Sequence, residues 1–382
     1  MVKRLAKKTF SVFRQLADKP VRWVLERSGT RLLTKEQTIT RLRSHKQLVF
    51  PATHVKLPEI HKLTDPTTVI FQPTESFTNP SFVWSLDRAA GEATLLPYGA
   101  VKLDADVLCT DYDTDGYYTD LFSKAQRKSQ HTTTLLAPWS QYLDGARFGG
   151  YYDFVLLVAA KLARMKEAMP ADEFAKAAVA YPLFDTSYER EYFSLLGIEA
   201  DQLFDSRTNA FTFERCILGN SGHWFYPNPA DILTLKKQVE NRLPPEPAEP
   251  RRIYISRSGR RRIMNEAALI DLLKRFDFSI IDDVPRSVSE QVAIYRSASF
   301  IVGPHGASFS NIIWCNPGTH LLELFSPNYT PNFFQHLTNV LGLHYSAYYT
   351  GKPAQNRGVI EALEEDITVS IDELEQYLNA LL

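Results

Sequence analysis

The sequence predicts a two-domain α/β protein, and three features carry that reading. From about residue 251 strands and helices alternate one for one, while between about 40 and 235 short apolar runs alternate with polar breaks. Between them, Asn241 to Pro250 places four prolines in ten residues, which neither a helix nor a central strand accommodates. The predicted boundaries are a basic N-terminal helical segment over 1–35, a first domain over 36–240, a proline-rich linker over 241–250 and a second domain over 251–382. At 382 residues, 44% hydrophobic and 23% charged, the chain can bury a sizeable core.

In chain order, Lys3, Arg4, Lys7, Lys8, Arg14, Lys19, Arg22, Arg27 and Arg31 face only Asp18 and Glu26, so the first 31 residues carry +7 in a chain whose net charge is −1. Val2, Leu5, Ala6, Phe13 and Leu16 recur among those bases at helical spacing, as in a helix lying on an anionic membrane surface or a solvated basic helix. Val69 to Gln72 and Ala105 to Cys109 read as strands, and Asp153 to Ala168, apolar at spacings of three and four, as a helix. Past the linker, strands are expected at Arg252 to Arg257, Phe278 to Asp282, Ser299 to Gly303 and His320 to Phe325. Helices are expected at Asn265 to Arg275, Ser287 to Arg296, Ala307 to Trp314 and from Ser370, with Ser-x-x-Glu capping boxes at Ser287 and Ser370. Such alternation implies right-handed crossovers and a parallel sheet whose ligands bind at the strands' carboxyl ends.

Composition narrows the function classes. A near-neutral chain argues against a basic-surfaced nucleic-acid binder. The best apolar run, Phe154 to Ala160, is flanked by Asp153 and Lys161 and is too short to cross a bilayer, and no apolar segment ends in a small-residue cleavage site. Cys109, Cys216 and Cys315 are far apart and odd in number, supporting neither a disulfide framework nor a cysteine-zinc site. The expected location is cytoplasmic, peripheral at the inner membrane surface through the basic N-terminus.

The segment Ile301-Val-Gly-Pro-His-Gly-Ala-Ser-Phe-Ser-Asn311 runs a buried strand into a short helix, a natural cradle for a diphosphate. Gly303, His305, Gly306, Ala307, Ser308 and Asn311 are its candidate residues, with His305 donating to a leaving phosphate. Ser256 and Arg257 end the first strand of the second domain and aim at the same crevice, and Arg262 and Asn265 follow. Glu323, a carboxylate in an otherwise apolar strand, needs a partner; ribose hydroxyls or an arginine would serve.

In order, Tyr254 to Arg257, Arg262 to Glu266, Ser287 to Gln291, Ala298 to Asn311, Pro317 to Thr319 and Leu322 to Leu324 resemble the motifs of glycosyltransferase family 61, over roughly 70 residues. The resemblance implies a GT-B fold of two Rossmann-like domains facing each other across a cleft, an inverting mechanism and a nucleotide-sugar donor, usually UDP-linked. It also implies a glycan acceptor in polysaccharide or capsule biosynthesis, here one that could be lipid-linked, with no cofactor or metal required.

The first domain matches that family less closely: Phe148-Gly-Gly-Tyr-Tyr-Asp-Phe154 places Asp153 where family members carry a histidine. An inverting transfer needs a base for the acceptor hydroxyl, and Asp153 can fill that role. Tyr152, His223 and the acidic cluster with Asp111 and Asp113 are further acceptor-side candidates, the last resembling the Asp-x-Asp of other glycosyltransferases. Two alternatives stay open. One is a polysaccharide pyruvyltransferase using phosphoenolpyruvate, against which Glu323 counts. The other is a non-catalytic glycan-binding or scaffold protein, favoured by the absent histidine.

Overall fold

The computed structural model describes all residues except 1–19, 21–22, 112–125, 140–149, 222, 244–248 and 355–357. Most of the basic N-terminal segment, Asp113 and the middle of the proline-rich stretch therefore lie outside the described residues. The protein has a mixed α/β architecture with two compact units, Met1–Thr53 with Asn79–Arg242 and His54–Thr78 with Leu243–Leu382. One division falls in the proline-rich stretch. The segment 54–78, which sequence placed in the first domain, belongs instead to the C-terminal unit. Its contacts give the reason: the Leu63 amide donates to Tyr377 Oη at 2.9 Å, Lys62 pairs with Glu373 at 2.6 Å, and Phe71 packs against Phe325 and Ala347.

The N-terminal unit is built on a six-stranded sheet of β1 (Lys46–Phe50), β2 (Ser81–Leu86), β3 (Lys128–Ala137), β4 (Ala178–Tyr181), β5 (Leu203–Asp205) and β6 (Asn209–Gly219), in the order β5-β4-β3-β6-β2-β1. The pairs among β3 to β6 are parallel and the β2 pairs antiparallel. The helix expected from Asp153 is a composite: one α turn at Tyr151–Asp153, a π segment at Phe154–Ala159 and an α-helix at Ala160–Glu167. Its residues 154 to 165 are all buried, Lys161 and Arg164 included. Those two cations are tolerated because each is paired: Lys161 Nζ with Asp111 at 3.0 and 3.2 Å and with the Trp139 carbonyl, and Arg164 with Asp231 and the Asn220 carbonyl.

The C-terminal unit follows the predicted alternation closely. Strands β7 (Arg251–Ile255), β8 (Phe278–Ile281), β9 (Ala298–Pro304), β10 (His320–Phe325) and β11 (His344–Tyr349) form an all-parallel sheet in the order β8-β7-β9-β10-β11. The Ser287 box is present, while Ser370 caps the last helix through the Glu373 amide. In this strand order the chain reverses direction across the sheet between β7 and β9, and the crevice at their carboxyl ends is the preferred ligand position of such folds. Gly303 keeps β7 and β9 close: a Cβ there would stand 2.9 Å from the Ile255 carbonyl oxygen and 3.1 Å from the Phe309 ring. Its role is packing, whereas sequence had assigned it to the ligand.

Candidate active site

Where β7 and β9 end, three side chains meet. Arg257 follows β7, and its Nη1 donates to the His305 carbonyl at 2.9 Å. Gly306 makes that approach possible, since a Cβ there would run into Arg257 Nη1. With φ at 176°, Gly306 is extended backbone that alanine also adopts. Gly306→Ala should therefore fold normally yet displace the Arg257 guanidinium. A diphosphate bound at this guanidinium would then lose about 10-fold in affinity by calorimetry, the lower range for one charge-assisted contact.

His305 is 4% exposed, walled by Phe325, Tyr329, Phe333 and Phe334 with ring centroids 5.4 to 6.0 Å away. Its Nδ1 lies 2.5 Å from Glu323 Oε1, and Tyr345 donates to Glu323 Oε2 at 2.6 Å. Glu323 thus has both oxygens engaged. The contact to ribose hydroxyls expected of it is taken by His305 and Tyr345, because residue 323 faces Ala347 and Gly303 across the sheet, deep beneath the strand ends.

The residue that sequence reading missed is Arg261. Of the arginines after β7, Arg262 was singled out, but it pairs with Asp366 at 2.9 Å on the exposed side. Arg261 is 7% exposed, stands over the Tyr329 ring at 5.6 Å, and its Nε has no hydrogen-bond partner. A positive φ of 61° at Arg261 separates the two neighbours, and nothing in a run of bases signals it. Burial, then Arg257 and Arg260, push Arg261 down to about 10. Burial, then Arg260, lower Arg257. Burial, then Arg261 and Arg257, hold His305 well below the usual histidine range, so its imidazole is neutral. Burial pushes Glu323 up to about 8, against the Tyr345 hydrogen bond and Arg261.

The remaining donor-side candidates are supports. Ser256 and Tyr254 donate to Glu266 Oε1 at 2.7 and 2.8 Å. Asn265 exchanges two hydrogen bonds with the Val369 backbone. Asn311, 1% exposed, donates to Gln291 at 2.9 Å and accepts from Trp314. Ala307 and Ser308 are half-buried at the start of a 3-10 helix, Ala307–Trp314, whose first amides have no acceptor within the helix.

On the N-terminal unit, Asp153 is 6% exposed; its Oδ1 accepts from Trp224 Nε1 at 2.8 Å and its Oδ2 from the Gly150 amide at 3.1 Å. Each oxygen thus accepts one hydrogen bond and keeps a further lone pair, so the two donors fix the carboxylate's orientation. Tyr152 donates to the Trp224 carbonyl at 3.0 Å. His223 Nδ1 accepts from the Phe225 and Tyr226 amides at 3.2 and 3.3 Å, so the ring proton sits on Nε2 and His223 offers a donor. Burial, then Lys35, lowers its pKa. Asp111 is fully buried under Lys161, away from any acceptor, because the Ser221 amide and Lys161 both claim it. Among the described residues no three His, Cys, Asp or Glu side chains group to hold a metal ion, and no helix is long and apolar enough to cross a membrane.

Comparison with known proteins places this constellation. The family model described as Glycosyltransferase 61 matches residues 93–322, a stretch holding Arg257, Arg261 and His305. The chain is 32% identical over 80 residues to a beta-1,2-xylosyltransferase of Arabidopsis thaliana, covering 21% of this chain and 15% of that protein. It is 29% identical over 105 residues to a xylan glycosyltransferase of the same plant, covering 26% and 21%. The match thus spans less than a quarter of either relative. With the model covering more than half of its residues, the chain belongs to glycosyltransferase family 61.

Proposed function

We propose that the C-terminal unit binds the diphosphate of a UDP-sugar at Arg257, Arg261 and His305, and that the protein transfers the sugar with inversion to a glycan acceptor. One observation carries this: two guanidinium groups, neither in an ion pair among the described residues, converge on a neutral imidazole where the parallel sheet reverses order. Such a site is short of negative charge, and a diphosphate supplies it in a form that guanidinium forks bind well. As the bond to the anomeric carbon breaks, the same groups face the charge that develops on the leaving oxygen. The name of the xylosyltransferase relative makes UDP-xylose the first donor to try.

The acceptor is proposed to meet the N-terminal unit near Tyr152, Asp153, His223 and Trp224. The GT-B arrangement, an acceptor carried on a lipid and surface contact through the basic first 35 residues belong to the same proposal. Glu323 no longer bears on the pyruvyltransferase alternative, since it faces His305; family membership favours a sugar donor instead.

The test is a thermal-shift titration with UDP and UDP-sugars. A ligand at 100 times its Kd adds about 2.7 kcal/mol of stability, a clear rise in Tm. The rise and the transferase activity should both survive EDTA, because the two arginines neutralise the diphosphate. Absence of a shift with every nucleotide sugar defeats the donor site, and activity restored only by a divalent cation defeats the metal-independent mechanism.

A further inference from the structure

His305 and Glu323 form a closed pair with one open edge. Nδ1 is 2.5 Å from Glu323 Oε1, Tyr345 occupies Oε2, and no described protein atom bonds Nε2. The charged groups bearing on the pair are Arg257 and Arg261, with Arg260 acting on Arg261; Tyr329 and Tyr345 are the other titratable neighbours. Groups this close titrate as one unit. When the unit holds two protons, one lies between Nδ1 and Oε1 and the other must be on Nε2. When it holds one, that proton stays between Nδ1 and Oε1, and Nε2 is a bare lone pair.

Resting on the donor-site reading above, we propose that Glu323 is a positioning residue: with Tyr345 bonded to its far oxygen, its Oε1 holds the shared proton and presents it to Nδ1 of His305, so that the ring's own proton stays on Nε2 and Nε2 presents an N–H to the donor's diphosphate. The hydroxyl of Tyr345 donates to Oε2, which leaves Oε1 as the atom that shares a proton with Nδ1. Two guanidiniums oppose an imidazolium and burial opposes a carboxylate, so the pair avoids both charges by keeping the shared proton toward Glu323. At neutral pH the unit is then neutral overall and Nε2 is a hydrogen-bond donor. Above about pH 8 it loses a proton, and a lone pair faces the phosphate oxygens.

The experiment combines two readouts on the full chain. Nitrogen-15 NMR of histidine-labelled protein, with His305 assigned by its loss in His305→Gln, reports which ring nitrogen carries hydrogen. Calorimetry measures UDP affinity from pH 7 to pH 9, a range in which UDP, with a phosphate pKa near 6, is already fully ionised. Nε2 should be protonated at pH 7 and bare at pH 9, and wild-type affinity should fall about tenfold between pH 7 and 9, as the competent fraction does. Glu323→Gln donates its amide N–H to Nδ1 and locks Nε2–H, so its affinity should stay flat over that range. Tyr345→Phe removes a bond that lowers the Glu323 pKa, so its fall should move to higher pH. A bare Nε2 at pH 7, or parallel pH profiles in wild type and both variants, overturns the proposal. Expected ring signals in a wild type that does not bind UDP would overturn the donor-site reading and the diphosphate as partner, while upholding the proton's place.

Discussion

Asp111→Ala should cost the N-terminal unit about 3–5 kcal/mol of stability, the usual penalty for stripping one partner from a buried ion pair. Asp111 accepts from Lys161 at 3.0 and 3.2 Å and from the Ser221 amide, and both charged side chains are within 1% of full burial. Without the carboxylate, Lys161 keeps only the Trp139 carbonyl, and an ammonium so placed sheds its proton more readily than it does now. Burial already lowers the Lys161 pKa, with Asp111 opposing. A folded pKa below the ordinary lysine value of 10.5 means that the unfolded chain binds the proton more tightly. The deficit is therefore full below the folded Lys161 pKa and shrinks only as pH rises from there toward 10.5. Asp111→Leu combined with Lys161→Met should recover most of the loss. Chemical denaturation checks the stability and calorimetry the UDP affinity, which should not change. A variant with wild-type stability and lost turnover would instead return Asp111 to the acceptor side.

Replacing Arg257 and Arg261 together by alanine should weaken UDP binding at least 100-fold. Each charge-assisted contact contributes about 1.5–3 kcal/mol, and because the two share one ligand their effects do not simply add. The same change should leave the Tm without nucleotide unchanged or raised, because Arg261 is buried with an unpartnered Nε beside a like charge. Affinity lost without stability lost is the mark of groups held for a ligand. Lysine at both positions keeps the charge but not the planar fork, and should restore only part of the affinity. Retained UDP affinity in the double alanine variant would place the nucleotide elsewhere.

The C-terminal unit was legible because its signals are local. Four of its strands are short apolar runs, the helices at Ser287 and Ser370 open on side-chain caps, and the resulting alternation admits few topologies. His305, Gly306 and Arg257 were found for the same reason, since they sit at strand ends. What sequence could not show is set by neighbours distant along the chain. Glu323 was given to a ligand because the 18 and 22 residues separating it from His305 and Tyr345 hide its partners. Arg261 and Arg262 are indistinguishable until one backbone angle turns the first inward and the second toward Asp366. Asp153 reads as a free carboxylate at a helix start, and its hydrogen bond from Trp224, 71 residues away, is invisible in sequence.

The excursion of residues 54–78 bears on how this protein can be made and cut. A gene fragment beginning at the proline-rich stretch would lack Phe71, Lys62 and the Leu63 amide, and would leave Phe325, Glu373 and Tyr377 without their covering hairpin. On the ribosome the hairpin emerges first and must wait while more than 160 intervening residues are synthesised before its docking surface exists. Through that interval its apolar side has no native partner, so the C-terminal unit cannot complete as an independent module in order of synthesis. Circular permutation that joins 54–78 directly to the unit it serves would remove the wait.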